Sequence, residues 1–542
     1  MTDTSAVPGT IHLVDDHELQ ADIVLHPTPT RDPQDPLNWP KWRKHAAIGT
    51  VYIYVLAIGI AATCQYSILT QIAASTTITV AELNTGTGLM FLFLGWGCLI
   101  WQPIALTYGR RRVYIISALL SIGPMIWTIY SSSPGVWYAH RIILGILASP
   151  VESLPEVSVP DLFFAHERGT YMAIYTFVLF GSNFLAPFMA GFIYDAMGWH
   201  AVIWFGTIVL ACATVLLFFT MEETMYFRST VEGVDDSVVE SVAVSHQTRN
   251  EMSEKAKEAG QSGDIAITNA SSRSQSPIQG TFMPERTYLQ KLNLFVAWPN
   301  RPTPKEHLTM MWRPLVIFFK FPNVTWAGFL YGTNLSWYNV LNATMSLILT
   351  AKPYNFKASM VGTAYLAPSI GAALACVFAG WFGDKVALYF ARRNGGVREP
   401  EHRLWTLAFS GLMATSGLIL WGVGAAKGVH FMGLMFGIGI MAFGLVCNSS
   451  TSLAYTVDCF KDIAGETMII VIIIRNTLGF GFSYAITPWI SAQGLEKTFV
   501  AVGMISLFFT GTFVAMIVWG KRLRKFSAKT YYDYAATTMA GH

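Results

Sequence analysis

Arg141, Glu152, Glu156 and Arg475 interrupt stretches of sequence that are otherwise apolar. A charged group near the centre of a bilayer is costly unless it is paired or hydrated, so each is a functional candidate by default. Arg141 and Glu152 stand eleven positions apart. At 100° per residue that returns to within about 20° of one helix face, roughly 16 Å further along the axis. The two side chains can line one cavity and cannot touch. Glu152 lies between Pro150 and Pro155, where a helix kinks and carbonyls lose their partners. A carboxylate there can carry a proton: water-poor surroundings favour its neutral form, and a nearby arginine or an arriving cation favours the charged one. The alternative is a helix that ends at Pro150, with Glu152 and Glu156 in a solvated loop.

Arg475 sits midway along GETMIIVIIIRNTLGFGFSYAI, beside Asn476. Two readings stand for it. It pairs with a carboxylate, Glu152 being one option, and exchanges partners between states, or its five donors clamp backbone carbonyls. A second polar cluster is YGTNLSWYNVLNATMSLIL, which crowds Asn334, Trp337, Tyr338, Asn339 and Asn342 together. Asn334, Tyr338 and Asn342 recur every four residues and share a face. That face is expected to line a cavity and to offer hydrogen bonds and an aromatic surface to a small organic molecule. Interhelical polar bonding is the alternative. No phosphate-cradling loop, His-Glu-x-x-His pair or Gly-x-Ser-x-Gly elbow occurs, which disfavours an ATP-driven pump and a membrane hydrolase. The chain is expected to be no enzyme, to need no cofactor or metal, and to draw on an ion gradient.

These residues need helices in lipid to position them. Of the 542 residues 13% are charged and 53% hydrophobic, with mean hydropathy +0.42, whereas a soluble chain carries about a quarter charged residues. A bilayer core of roughly 30 Å needs about 20 apolar residues per helix. Twelve candidate stretches run near 46–70, 85–107, 112–131, 137–158, 171–193, 201–221, 324–349, 358–382, 404–426, 430–455, 464–488 and 496–520. Basic residues cluster before the first stretch (Lys41, Arg43, Lys44), after the second (Arg110–Arg112), after the eighth (Arg392, Arg393, Arg398, Arg403) and after the last (Lys521, Arg522, Arg524, Lys525). Segments 71–84, 132–136 and 194–200 have no Lys or Arg, so both termini are expected in the cytosol.

The sequence thus divides into a cytosolic tail (1–45), a six-helix bundle (46–221), a Ser-rich linker expected to be disordered (222–312), a second six-helix bundle (313–520) and a cytosolic tail (521–542). Asn269-Ala270-Ser271 matches a glycosylation acceptor, but on the cytosolic side it goes unused. Cys64, Cys98, Cys212, Cys376, Cys447 and Cys459 lie in or beside the apolar stretches without metal spacing and read as buried small apolar residues. Two six-helix blocks suggest paired bundles around a central site that alternates between the two sides.

Five strings at matching positions carry a family resemblance: Asp35-Pro-Leu-Asn-Trp-Pro40, Tyr108-Gly-Arg-Arg111, Asp161-Leu-Phe-Phe-Ala-His-Glu-Arg-Gly169, Glu222-Glu-Thr224 and Arg398-Glu-Pro-Glu-His-Arg403. The chain resembles the fungal drug:proton antiporter group of the major facilitator superfamily, twelve-spanners that include histidinol-permeation and polyamine-type carriers. The resemblance implies an all-α membrane protein of two six-helix bundles. It further implies efflux of a drug or fungal metabolite by proton antiport at the plasma membrane, by a monomer whose partners are its small-molecule substrate, protons and lipid, with no nucleic acid. Proton-driven uptake of polyamines or other organic cations, and a non-transporting sensor, are the alternatives.

The family's charge latch, Gly-x-x-x-Asp-x-x-Gly-Arg-Arg, survives only in its second half here, because Gln102 and Leu106 replace its first glycine and its aspartate. The corresponding loop of the second bundle keeps Gly380-x-x-x-Asp384. The second latch is therefore expected to use Asp384 and the first to be weakened or differently partnered. Arg141-x-x-x-Gly145 is similar to a family motif whose arginine is tied to proton coupling. Ser182-x-x-x-Ala186-Pro187-x-x-Ala190-Gly191 is a degraded antiporter motif that also suits plain small-residue packing. The resemblance adds Gln65, Tyr66 and Asn448 as polar positions on helices that border the cavity.

Overall fold

The computed structural model of the chain describes residues 7–12, 34–226, 293 and 304–540. Its first half comprises α1 (Lys41–Thr63), α2 (Leu69–Ser75), α3 (Val80–Tyr108), α4 (Arg110–Ile129), α5 (Pro134–Ala148), α6 (Pro150–Leu162), α7 (Ala165–Met197) and α8 (Trp199–Thr220). The second half comprises α9 (Pro304–Lys320), α10 (Pro322–Thr350), α11 (Ala358–Ala364), α12 (Leu366–Arg393), α13 (Thr406–Ala426), α14 (Phe431–Cys459), α15 (Ala464–Gly511) and α16 (Phe513–Ala540). Two short strands, β1 (Ile11–His12) and β2 (Val397–Arg398), pair antiparallel with Ile11 opposite Arg398.

Local chemistry sets the boundaries. Thr79 and Glu82 form a reciprocal capping box that starts α3, with Glu82 Oε2 accepting from the Thr79 amide at 2.8 Å. Gly494, at φ +78°, turns the chain within α15, and the Thr498 hydroxyl donates back across the turn to the Trp489 carbonyl at 3.4 Å. Ten helical stretches among the described residues are long and apolar enough to cross a membrane. One of them runs through Gly494 from Ala464 to Tyr534, and α10 is not among them because its asparagines lower its hydropathy.

An apolar core around Val51, Tyr54, Leu144 and Val202 fills the first half. Two further cores fill the second and take in Tyr66, Phe184, Cys98 and Leu99 from the first. The halves meet along two seams, α3 against α15 and α7 against α11 and α12. In the second seam a Cβ at Gly191 would lie 2.4 Å from the Ala358 carbonyl oxygen, and one at Gly362 would lie 2.8 Å from that of Pro187. Backbones this close require glycine; Ala186 and Ala190 on α7 are buried, and Ser182 is buried against Gly59 of α1.

Several elements differ from the sequence reading. The first span breaks at Cys64 and Gln65, and Tyr66 opens the short 3₁₀ turn, Tyr66–Ile68, that follows. Most of the expected linker, Asn269 included, lies outside the described residues. Helix α9 nevertheless begins inside its range, because Leu308, Trp312, Val316 and Phe319 repeat at helical spacing along an exposed stripe. The expected C-terminal tail continues α16 as helix to Ala540. Cys212 is exposed and Cys376 half-buried on the outside of the bundle, unlike the other four cysteines, which are buried.

Candidate functional site: a buried ion pair between the two halves

Helix α6 resumes at Pro150 directly after α5, so Glu152 stands in a helical first turn rather than in a loop. It is 8% exposed, and its carboxylate forms an ion pair with Arg475 of α15, itself 4% exposed. Asn476 Nδ2 donates to Glu152 Oε2 at 2.8 Å. The Arg475 guanidinium donates to the Tyr331 hydroxyl at 2.9 Å and lies 5.0 Å from that ring's centroid. Pro155 has no N–H for the Val151 carbonyl; the Tyr175 hydroxyl donates its O–H to that carbonyl at 3.1 Å and also reaches the Glu152 carbonyl at 3.2 Å. The proline kink is thereby satisfied from α7. One turn on, the half-buried Glu156 carboxylate has no hydrogen bond or ion pair to the described residues.

Glu152 and Arg475 border a cavity of about 60 Å³ with Met90, Phe180, Tyr338 and Asn339. It has room for a few water molecules and none for an organic molecule. Contacts on both sides close the halves over it. Thr70 bonds Ser346 at 2.9 Å and Asp195 accepts from the Ser359 amide at 3.0 Å at one end, and Thr107 bonds His307 at 3.0 Å at the other. The conformation is occluded. A second cavity of about 10 Å³, the size of one water, lies among Tyr66, Asn84, Asn339, Asn342 and Ser483. The side-chain amides of Asn339 and Asn342 and the Tyr66 hydroxyl are buried there without partners among the described residues, as is the amide of Gln65 next to Tyr66 in sequence. Each such orphan costs about 1–3 kcal/mol, so a cluster of them marks a place that water or a ligand fills.

The polar face of α10 divides. Residues four apart on a helix drift by about 40° per step. Tyr338 therefore faces the ion-pair cavity and Asn342 the smaller one, whereas Asn334 points to α14; Asn339, outside that series, borders both cavities. There Asn448 Nδ2 donates to Asn334 Oδ1 at 2.9 Å, and the Ser410 hydroxyl donates to Asn448 Oδ1 at 2.5 Å. Asn334 and Asn448 join helices and border neither cavity in this state. Trp337 packs edge-on against Phe482, with centroids 4.7 Å apart. Arg141 is fully buried, 4.7 Å from the Trp137 ring centroid, with Nε and one terminal nitrogen unpartnered; Met90 separates it from the ion-pair cavity.

The recurring sequence strings fall into two charged clusters at the helix ends, one in each half. In the first, Arg110 pairs with Asp161 at 3.1 Å, Arg43 pairs with Glu222, and the Glu223 carboxylate accepts from the Arg110 amide at 2.9 Å. Glu223 thus caps α4 where Leu106 offers no charge. Burial pushes its carboxyl up, against the opposing pull of Arg110 and three amide N–H groups. Gly109 stands at φ +106°, a conformation that strains any residue with a Cβ, and the missing side chain lets Glu223 Oε2 approach to 2.3 Å from where a Cβ would be. In the second cluster Asp384 pairs with Arg403, which also reaches Asp458 at 3.7 Å. Asp384 is largely exposed and stands apart from the ion-pair cavity.

Arg524, fully buried in the same cluster, lies between Glu399 at 2.6 Å and Glu401 at 2.7 Å, and Lys521 reaches Glu399 at 2.7 Å. Thr10, beside β1, donates to Glu399 at 3.0 Å. Burial pushes the Glu399 carboxyl up, but the hydrogen bonds from Lys521 and Arg524 outweigh it and hold the group below the usual carboxylate range. A depressed folded pKa contributes stability above the unfolded value, and that contribution is lost as pH falls through the folded one. Between pH 6 and pH about 3.5 the Tm of the wild type is therefore expected to fall more than that of Glu399→Gln, the gap between them narrowing with acidification. A gap independent of pH would contradict the assignment.

Sequence reasoning missed Tyr331, Tyr175 and the Glu399–Glu401–Arg524 cluster as partners. Pro155 was the available signal for Tyr175, since a lost N–H demands a substitute donor. Glu399 and Glu401 lay within a string noted only for its resemblance.

Two helical halves closed over a buried ion pair and an occluded cavity define a membrane transporter. The family model of the Major Facilitator Superfamily matches residues 51–482, and the chain belongs to that superfamily. An MFS-type transporter of Schizosaccharomyces pombe is 29% identical, covering 97% of this chain and 94% of its own. Protein HOL1 of Saccharomyces cerevisiae is 26% identical over 97% of this chain and 96% of its own. The MFS antiporter QDR3 of Candida albicans is 21% identical over 93% of this chain and 81% of its own.

Proposed function

We propose that the protein is a proton-coupled antiporter that exports a small organic molecule across the plasma membrane. It would span the bilayer twelve times with both termini cytosolic: the ten apolar stretches, plus α10, plus one more from the turn at Gly494. The observation that carries the reading is the Glu152–Arg475 pair, because α6 belongs to one half and α15 to the other. An ion pair across the seam favours the closed arrangement, and protonation of Glu152 removes that bias. Arg475 then keeps Tyr331 and Asn476 as neutral partners. Release of the proton on the other side restores the pair and closes the cycle. The relative named as an antiporter is consistent with exchange of this kind.

Uptake of an organic cation is the second reading, favoured by Glu156, a carboxylate one turn from Glu152 with no ion-pair partner among the described residues. Proteoliposomes subjected to a pH jump, with a styrylpyridinium dye or radiolabelled spermidine as cargo, separate the two. Outward dye movement driven by the proton gradient and insensitive to Glu156→Gln is the expected result. Spermidine uptake lost in Glu156→Gln would favour the second reading, and no gradient-driven movement of either would contradict both.

A further inference from the structure

Helices α7 and α11 touch where Gly191 meets Ala358 and Gly362 meets Pro187, and then they part. Closer to the start of α7, a Cβ built on Gly181 would meet no atom within 4 Å. Between α7 and α12 this leaves a groove of about 430 Å³. Phe177, Leu185 and Ile370, 54%, 41% and 63% exposed, stand at its mouth on the outside of the protein. Its walls are apolar apart from the Ser369 hydroxyl, which donates to the Tyr365 carbonyl at 2.8 Å, and the Cys376 thiol. The volume lies within the range of organic-ligand sites, roughly 300–1,000 Å³, which the ion-pair cavity does not approach.

Phe180 lines this groove and also the cavity of Glu152 and Arg475. One aromatic side chain therefore stands between a bilayer-facing apolar groove and the buried carboxylate. We propose that the groove receives the apolar arm of the transported molecule, an amphiphile drawn sideways from the bilayer whose polar head passes Phe180 toward Glu152. The proposal rests on the transport reading above and adds the substrate class. Lipid tails are as apolar as these walls, so hydrophobicity alone selects no occupant. The Phe180 wall shared with the ion-pair cavity does. A structural phospholipid tail has no need of a wall shared with Glu152, whereas a cargo bearing a head and an arm uses both compartments.

The test uses the full chain in proteoliposomes and two styrylpyridinium probes with the same head, one N-methyl and one N-octyl. A diazirine on the octyl arm adds a binding readout independent of flux, with labelled peptides identified by mass spectrometry. Labelling of segments 177–188 and 366–376, suppressed by excess octyl dye and not by methyl dye, is expected. Gly181→Trp, which grows a bulky ring from a position where a Cβ meets no atom within 4 Å, should cut labelling and octyl-dye flux about tenfold while methyl-dye flux stays within about twofold. Phe180→Ala should extend labelling to segment 335–339 of α10. Labelling displaced by phospholipid but not by octyl dye would mean a structural lipid and overturn the proposal, as would Gly181→Trp slowing both dyes alike or neither. Labelling as expected without gradient-driven flux would uphold the groove as an amphiphile site and overturn the transport reading instead.

Discussion

Glu152→Gln and Arg475→Gln each abolish gradient-driven transport, yet they are expected to differ in stability. Removing one member of a buried pair leaves the other uncompensated, at a cost of about 3–5 kcal/mol. The two orphans are not equivalent. A stranded Glu152 can neutralise itself by binding a proton, whereas a stranded Arg475 stays charged and retains only Tyr331 and Asn476. Glu152→Gln should therefore lower the Tm more than Arg475→Gln, measured on detergent-purified protein at neutral pH. The exchanged pair, Glu152→Arg with Arg475→Glu, should recover stability and a fraction of transport beyond either single charge reversal. Equal Tm values for wild type and both glutamine variants would contradict the buried pairing.

Arg524→Ala is the second large effect, and it acts on stability alone. It removes the buried cation from between Glu399 and Glu401, both about as buried as Glu152, leaving Glu399 only the exposed Lys521 and Glu401 no cation among the described residues, and it frees Pro8 from the helix ends. A loss of about 3–5 kcal/mol is expected, seen as a lower Tm and poor recovery after purification. The triple variant Arg524→Met, Glu399→Gln, Glu401→Gln should regain most of it, because no buried charge then lacks a partner. Full stability of Arg524→Ala would remove the cluster from the account.

Much of the helical frame was legible in the sequence because lipid imposes a length and a polarity on each segment. Charge then betrayed the site: arginine and glutamate amid apolar residues are conspicuous, and the Glu152–Arg475 contact was one of the options read from them. What stayed hidden depends on which helix faces which. The four-residue spacing of Asn334, Tyr338 and Asn342 suggested one face, but the drift of the helix divides it between two cavities and a bond to Asn448. Tyr331 looks like an ordinary aromatic residue until Arg475 lies against it. The degraded latch at Gly109 could be seen to lack its aspartate. That Glu223 and Asp161 replace the charge follows only from the meeting of α4, α6 and the end of α8.

The central claim is that Glu152 carries the coupling proton. The most direct test measures pH-jump accumulation and gradient-free exchange of one dye, side by side, in proteoliposomes containing wild type or Glu152→Gln. Accumulation lost with exchange retained is the predicted result, since the glutamine stands in for the protonated carboxyl and can neither take up nor release a proton. Accumulation equal to that of the wild type would contradict it.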